Sequence, residues 1–161
     1  MYWLPGWRVD PRGIERPSCQ EEQAPTPITW DILDEVFELT ISTTFSAAHA
    51  LMIQGEREPV HGHDWHVEAV VRGKQLDGDG LLCDFHELET ALEKIVAPFQ
   101  TADLNALEAF AGMNASAENV ARHIGEQFAK QLPEGVRLGQ LSVTEAPGCR
   151  AAWIPESKES F

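Results

Sequence analysis

Three of the six histidines of this chain fall within the stretch EPVHGHDWH, residues 58–66. His61 and His63 are separated by a single glycine, and in a β-strand the side chains at i and i+2 project from the same face. Two imidazoles on one face can share a metal ion, whereas a catalytic metal centre takes three protein ligands and leaves one position open. The stretch therefore indicates a metal site that still lacks one protein ligand.

Two other histidines are candidates for the third ligand. His66 is near in sequence, but its parity is opposite to that of His61 and His63, so its side chain is expected to point away. His49 lies on the apolar face of the preceding strand, and antiparallel pairing through the loop at residues 50–60 would bring it beside the other two. We therefore predict that His49, His61 and His63 bind one metal ion.

The chemistry of this ligand set favours zinc. Three neutral imidazoles suit Zn²⁺, and an all-nitrogen set also tolerates copper or nickel. A purely structural zinc site would need a closed shell of four ligands. No fourth side chain of suitable type is in phase with the histidines, so a catalytic site is favoured over a structural one.

The elements that position these residues follow from the hydrophobic pattern. Residues 37–49 and 61–73 alternate with period two, as half-buried strands do. Two stretches with a three-to-four-residue period follow, with Asp84 and Ser116 as their predicted N-caps. The stretch RLGQLSVTEAPGCRAAWIPE then predicts two strands around a turn. The order is two strands, two helices and two strands, which predicts an α+β domain.

A carboxylate ends the apolar stripe of the next-to-last predicted strand. Leu141 and Val143 have the same parity as Glu145, so Glu145 either emerges into solvent or meets hydrogen-bond donors at the end of the strand. A flat heterocycle such as a pterin or guanine offers a carboxylate two parallel N–H donors. Glu145 is therefore a candidate anchor for such a ring.

Length and charge limit the classes of function. We predict one domain at residues 35–157, an irregular proline-rich extension at residues 1–34 and a tail at residues 158–161. Trp3, Trp7 and Trp30 either anchor that extension on a partner or belong to a disordered arm.

The formal net charge of −14 and the scattered basic residues argue against binding to nucleic acids or anionic membranes. No apolar run reaches membrane-spanning length, and the opening residues lack a secretory signal pattern. The three cysteines are odd in number and widely spaced, which predicts free thiols and a cytoplasmic protein.

Five short motifs together resemble one family. FSAAH, HGHDWHVEAVVRG, DGLLCDF, SAENVA and VTEA occur in the order and spacing of the 6-pyruvoyl-tetrahydropterin synthase and 6-carboxy-tetrahydropterin synthase family. The resemblance implies the tunnelling fold, in which an antiparallel four-stranded sheet carries two helices between its second and third strands. It also implies trimers with a closed barrel that stack into hexamers, zinc on His49, His61 and His63, and a pterin ring held by Glu145.

The chain departs from the family pattern at two catalytic elements. The family's catalytic cysteine lies four residues before the first histidine of HGH, where this chain has Arg57. The family's Asp-His pair, in an LDHxxLN stretch, corresponds to Gln100 and Thr101, while Leu104 and Asn105 are kept. The usual base and proton relay are therefore expected to be absent.

Glu58 is the expected substitute for the missing base. It fits the E-x-x-H-G-H pattern of family members that resemble enzymes cleaving dihydroneopterin triphosphate to 6-hydroxymethyl-dihydropterin, a folate precursor. Its alternative is a solvated loop residue, and Glu56 and His86 are weaker candidates for the base. Arg57 is expected to meet a phosphate or carboxylate on the substrate side chain. The leading hypothesis is a zinc-dependent lyase of a reduced pterin; the alternative is a pterin- or purine-binding protein without standard turnover.

Overall fold

The structure, a computed structural model, describes residues 35–156. The predicted extension with its three tryptophans and the predicted tail lie outside the described residues. Between residues 35 and 156, no helix has the length and hydrophobicity needed to cross a membrane.

One antiparallel sheet of four strands forms the centre of the domain. Its strands are β1 (Phe37–His49), β4 (His61–Gly73), β5 (Val136–Ala146) and β6 (Cys149–Trp153), in the spatial order β1-β4-β5-β6. A separate two-stranded sheet, the hairpin of β2 (Met52–Ile53) and β3 (Glu56–Arg57), lies in the connection that the sequence predicted as a loop. Its turn contains Gln54 and Gly55, both with positive φ.

The period-two pattern of the strands builds one face of the core. Alternate residues of β1, β4 and β5 are buried beneath the helices, because side chains alternate across a pleated sheet. The buried set on these strands is Ile41, Phe45, Ala47, Trp65, Val67, Ala69, Val71, Leu138, Leu141 and Val143. The opposite face of the sheet carries mostly polar side chains.

Two helices cover the apolar face of the sheet. They are α1 (Phe85–Val96), which packs on β1, and α2 (Ala117–Ala129), which packs on β5 and β6. The predicted N-caps are confirmed, since the side chains of Asp84 and Ser116 accept the backbone N–H groups of His86 and Asn119.

The first residue of α1, Phe85, is exposed, whereas Leu88, Leu92 and Val96 form the buried stripe of the helix. The observed architecture, four antiparallel strands with two helices between the second and third strands of the sheet, confirms the predicted α+β tunnelling fold.

Candidate metal centre

The register of the first two long strands brings the three predicted histidines together. His49, the last residue of β1, pairs with His61, the first residue of β4, and His63 follows on the same face. The ring centroids of the three imidazoles lie 4.7, 4.9 and 5.3 Å apart. The parity argument from the sequence therefore leads to a cluster of three imidazoles in the folded chain.

Backbone carbonyls set the orientation of two of these rings. Nδ1 of His49 lies 2.8 Å from the carbonyl oxygen of Ala115, and Nδ1 of His61 lies 2.9 Å from that of Pro59. A carbonyl only accepts, so each Nδ1 carries the proton and donates it. Nε2 of each neutral ring then keeps its lone pair, as is usual for a metal-binding histidine.

The Nε2 atoms of His49 and His63 are buried and make no hydrogen bond. Buried polar atoms without a partner are uncommon and often mark the place of an ion. One candidate ligand atom from each of His49, His61, His63 and Glu145 lies within 4.8 Å of the other three. The donor set and the two unpartnered nitrogens therefore fit a zinc-type ion.

Glu145 is a fourth member of the cluster that the sequence pattern did not place there. Its Oε1 atom lies 2.8 Å from Nε2 of His49 and 3.2 Å from Nε2 of His63. Glu145 continues the buried face of Leu141 and Val143, and the pairing of β5 with β4, which ends at His66 and Thr144, brings it beside the histidines. The expectation that no fourth ligand is in phase is therefore not met, because the register between these two strands was not known from the sequence.

The surroundings of His63 favour its neutral form. His49 is fully buried, and burial lowers the pKa of His63, although the Glu145 carboxylate opposes that shift. The indole of Trp65 forms the floor of the cluster, with its ring 4.9 Å from that of His49 and 5.8 Å from that of His63. Neutral imidazoles above an apolar floor suit metal binding, since a protonated imidazole cannot be a ligand.

Glu58 lies at the edge of the cluster, on the side of His61. Its Oε1 accepts the backbone N–H of Leu51 at 2.8 Å and lies 3.9 Å from Nδ1 of His61. Its side chain is 28% exposed, so it is neither deeply buried nor a freely solvated loop residue. The structure thus places the candidate base next to the candidate metal ligands.

Comparison with known proteins identifies the family of this chain. The family model for 6-pyruvoyl tetrahydropterin synthase matches residues 38–156. The chain belongs to that family. It is 35% identical over 102 residues to the dihydroneopterin monophosphate aldolase of Pyrococcus furiosus, a match that covers 63% of this chain and 83% of the relative. It is 29% identical over 113 residues to a putative 6-carboxy-5,6,7,8-tetrahydropterin synthase of Archaeoglobus fulgidus, covering 70% of this chain and 91% of the relative.

Solved structures of the family share the fold. The 6-pyruvoyl tetrahydropterin synthase of Caenorhabditis elegans superposes with a TM-score of 0.67 at 19% identity, over 76% of this chain and 97% of that one. A variant of the Plasmodium vivax synthase superposes with a TM-score of 0.61 at 18% identity, over 74% and 98% of the two chains. At these identities the likeness supports the fold alone.

Within this member of the family, Arg57 and His63 line different pockets. Arg57 lines a pocket of about 600 Å³ together with Met52, Asn105 and Met113, and none of the three histidines lines that pocket. Arg57 is the last residue of β3 and Glu58 follows it directly, but their side chains have different surroundings. Arg57 and the metal cluster of its own chain therefore do not share this pocket.

The residues at the family's Asp-His positions have a structural role here. Oε1 of Gln100 accepts the backbone N–H of Ser46 at 3.2 Å, and the backbone N–H of Thr101 donates to the carbonyl oxygen of Ser46 at 2.6 Å. Thr101 adopts a positive φ of 59° to do so. These contacts fasten residues 100–103 to the outer edge of β1, so neither side chain replaces an acid or a base.

The remaining candidates lie away from the cluster. His66 pairs with Thr44 and Thr144 and is exposed on the polar face of the sheet. His86 lies at the start of α1, where its Nδ1 is 3.0 Å from Asp84, and its side chain is 90% exposed. Glu56 is exposed in the hairpin. None of these three belongs to the metal centre.

Proposed function

We propose that this protein is a zinc-dependent lyase that cleaves the side chain of a phosphorylated dihydroneopterin between its first and second carbons. The products would be 6-hydroxymethyl-dihydropterin and a phosphorylated glycolaldehyde. The observation that carries the proposal is the convergence of His49, His61 and His63 with Glu58 at their edge. The name of the Pyrococcus furiosus relative, an aldolase of dihydroneopterin monophosphate, supports carbon–carbon cleavage over the other reactions of the family.

The three histidines would hold the zinc ion, since their ring orientations and unpartnered nitrogens suit it. When bound, zinc supplies Lewis-acid polarisation of the side-chain hydroxyl groups. The indole of Trp65 would keep water from the floor of the site, which strengthens every charge interaction there.

Glu58 would act as the base and then as the acid. Its carboxylate takes the proton from the hydroxyl on the second side-chain carbon, and that carbon leaves as an aldehyde. The electron pair of the broken carbon–carbon bond passes into the adjacent C=N bond of the ring. The same proton then returns from Glu58 to the first carbon, which becomes the hydroxymethyl group, so protons and electrons balance.

Two observations support Glu58 in this role. Its hydrogen bond with Leu51 holds the carboxylate in one orientation beside the cluster. In the Plasmodium vivax synthase, the residue changed in two solved variants is a catalytic glutamate. A catalytic glutamate is therefore compatible with this fold.

We further propose that Glu145 binds the N–H edge of the pterin and that Arg57 contacts the substrate phosphate. Because Arg57 does not line the cluster of its own chain, its contact would be made to substrate in a neighbouring subunit. Assembly into a trimer or hexamer is supported by β1, an edge strand of the described sheet that residues 100–103 cover at its Ser46–Ala48 end and not along its whole length of 13 residues. Long open edges are normally covered by pairing with another strand.

A product assay tests the proposed reaction. Zinc-loaded protein is incubated separately with dihydroneopterin monophosphate and triphosphate, and the products are identified by mass spectrometry. We expect 6-hydroxymethyl-dihydropterin from the wild type and at least a hundredfold slower formation by Glu58→Gln. Formation of 6-pyruvoyl- or 6-carboxy-tetrahydropterin instead would replace the proposed lyase reaction by a synthase reaction.

A second candidate function is a pterin-binding protein without turnover. The observation that favours it is the structural use of Gln100 and Thr101 where the family has its proton relay. This candidate predicts no product from either phosphate ester, together with pterin binding that Glu145→Ala weakens. The product assay distinguishes it from the lyase, and isothermal titration with dihydroneopterin measures the binding that it requires.

A further inference from the structure

The contact between Glu145 and the histidines is chemically unusual. Oε1 of Glu145 lies 2.8 Å from Nε2 of His49 and 3.2 Å from Nε2 of His63, yet neither nitrogen has a hydrogen bond. Nδ1 of His49 donates to Ala115, so Nε2 of the neutral ring presents a lone pair to the carboxylate. Two electron-rich atoms at this distance repel each other unless a cation lies between them.

A metal ion explains this geometry better than a proton. A shared proton would give a linear N–H···O hydrogen bond, which neither nitrogen forms with Glu145. It would also make His49 a charged imidazolium, although its side chain is fully buried. In a tetrahedral zinc site with ligands at about 2.0–2.2 Å, neighbouring ligand atoms are separated by roughly 3.3 Å. The separation from Nε2 of His63, 3.2 Å, is near that value and the one from Nε2 of His49, 2.8 Å, is shorter; both involve the same oxygen of Glu145.

We propose that Glu145 is the fourth metal ligand of the resting protein, and that it leaves the metal when it binds the pterin ring. The identity of the ring rests on the proposed function; the ligand role of Glu145 does not. Three histidines and one carboxylate close the coordination shell, whereas catalysis requires an open position. Transfer of the carboxylate from the metal to the ring therefore opens the metal only when substrate is present.

The local structure of β5 allows such a transfer. Glu145 lies at the irregularity between Thr144 and Ala146, next to a turn in which Gly148 has a φ of 84°. Its side chain is 22% exposed, so the carboxylate is accessible from outside the cluster. A ring edge with two parallel N–H donors offers it a paired, charge-assisted hydrogen bond in place of the metal.

The ligand role is tested without any turnover. Metal affinity is measured by competition with a chromophoric chelator for the wild type, Glu145→Gln and Glu145→Asp, with the exposed Glu126→Gln on α2 as the matched control. We expect Glu145→Gln to weaken zinc binding on the order of 10- to 100-fold, and Glu145→Asp to recover part of the loss. Equal affinities for the wild type and Glu145→Gln would overturn the proposal.

The transfer is tested with unsubstituted pterin, which has no side-chain hydroxyl to offer the metal. Because binding linkage is reciprocal, pterin is expected to bind the metal-free protein about tenfold more tightly than the cobalt-loaded protein. It should also change the visible absorption of the Co²⁺ protein, and the spectrum of Co²⁺-loaded Glu145→Gln should not respond. Equal pterin affinities with and without metal, or an unchanged Co²⁺ spectrum, would overturn the transfer.

The outcomes separate this inference from the proposed reaction. If the metal and spectral results are as expected but neither phosphate ester is cleaved, the lyase reaction is wrong and the ligand role stands. If pterin fails to bind the wild type in either metal state, the transfer and the proposed substrate class are both wrong.

Discussion

Leu51 and Glu58 are hydrogen-bonded to each other twice. The backbone N–H of Leu51 donates to Oε1 of Glu58 at 2.8 Å, and the backbone N–H of Glu58 donates to the carbonyl oxygen of Leu51 at 3.1 Å. The hairpin formed by β2 and β3 is thus closed at its base by the candidate catalytic residue. This arrangement fixes the carboxylate relative to His61 and keeps the connection between β1 and β4 in one conformation.

Substitution of Glu58 should affect turnover far more than metal binding. We expect Glu58→Gln to lower kcat about 10²- to 10⁴-fold, because a positioned base contributes a factor of this size. Zinc content should remain at the wild-type level, since the glutamate is not among the clustered ligand atoms. Steady-state kinetics and metal analysis on the same samples measure both quantities. Glu56→Gln, in the same hairpin but exposed, is the matched control.

Removal of any clustered histidine should abolish metal retention. We expect His49→Ala, His61→Ala and His63→Ala each to release zinc during dialysis, because two imidazoles hold the ion much less tightly than three. Elemental analysis after dialysis gives the stoichiometry. His66→Ala serves as the control, since His66 lies on the opposite face of β4 and is exposed. Zinc retained at full stoichiometry by His63→Ala would show that the ion is bound elsewhere.

Asn105 and Asn114 act together as a substitute for a neighbouring strand. Asn105 bonds to both the N–H and the carbonyl of Ala50, at 2.7 and 2.9 Å, and Asn114 does the same for Met52, at 2.8 and 3.0 Å. Ala50 is buried, so removing its partner leaves two polar groups unsatisfied. We expect Asn105→Ala to lower the free energy of unfolding by about 2 kcal/mol.

Chemical denaturation checks this loss of stability. Gln131→Ala, exposed just beyond the end of α2, should change the free energy of unfolding by less than about 0.5 kcal/mol. Hydrogen exchange at the Ala50 and Met52 amides should accelerate in Asn105→Ala and Asn114→Ala respectively. Unchanged exchange at both amides would mean that the backbone holds its conformation without the asparagines.

His123 should make stability fall in mild acid. Burial lowers its pKa from the ordinary value of 6.5, with Lys130 acting in the same direction and Glu126 opposing it. The unfolded chain therefore binds a proton at higher pH than the folded chain does, so the free energy of unfolding decreases as the pH drops below 6.5.

Burial also lowers the pKa of His63, so the measurement is a difference between proteins. Unfolding is followed from pH 8 to pH 5 for the wild type and His123→Gln. We expect the stability of the wild type to fall more steeply than that of the variant across this range. His86→Gln, whose side chain is 90% exposed in the wild type, should follow the wild-type curve. Parallel curves for the wild type and His123→Gln would show that His123 does not contribute.

The sequence alone determined which residues share a face. Period-two alternation placed His49, His61 and His63 on one side of two strands and His66 on the other, because parity is a property of the extended backbone itself. The caps at Asp84 and Ser116 were also predictable, because a cap side chain accepts backbone N–H groups within one helical turn of its own position. These local rules also gave the order of strands and helices.

The tertiary structure decided the relations that no local pattern contains. Glu145 lies beside the histidines because of the register in which β5 pairs with β4, and Gln100 bonds to Ser46 across 54 positions of the chain. The hairpin likewise directs Arg57 and Glu58 to different surroundings. Such contacts depend on strand register and loop path, which are set by packing of distant segments and not by the periodicity of any one of them.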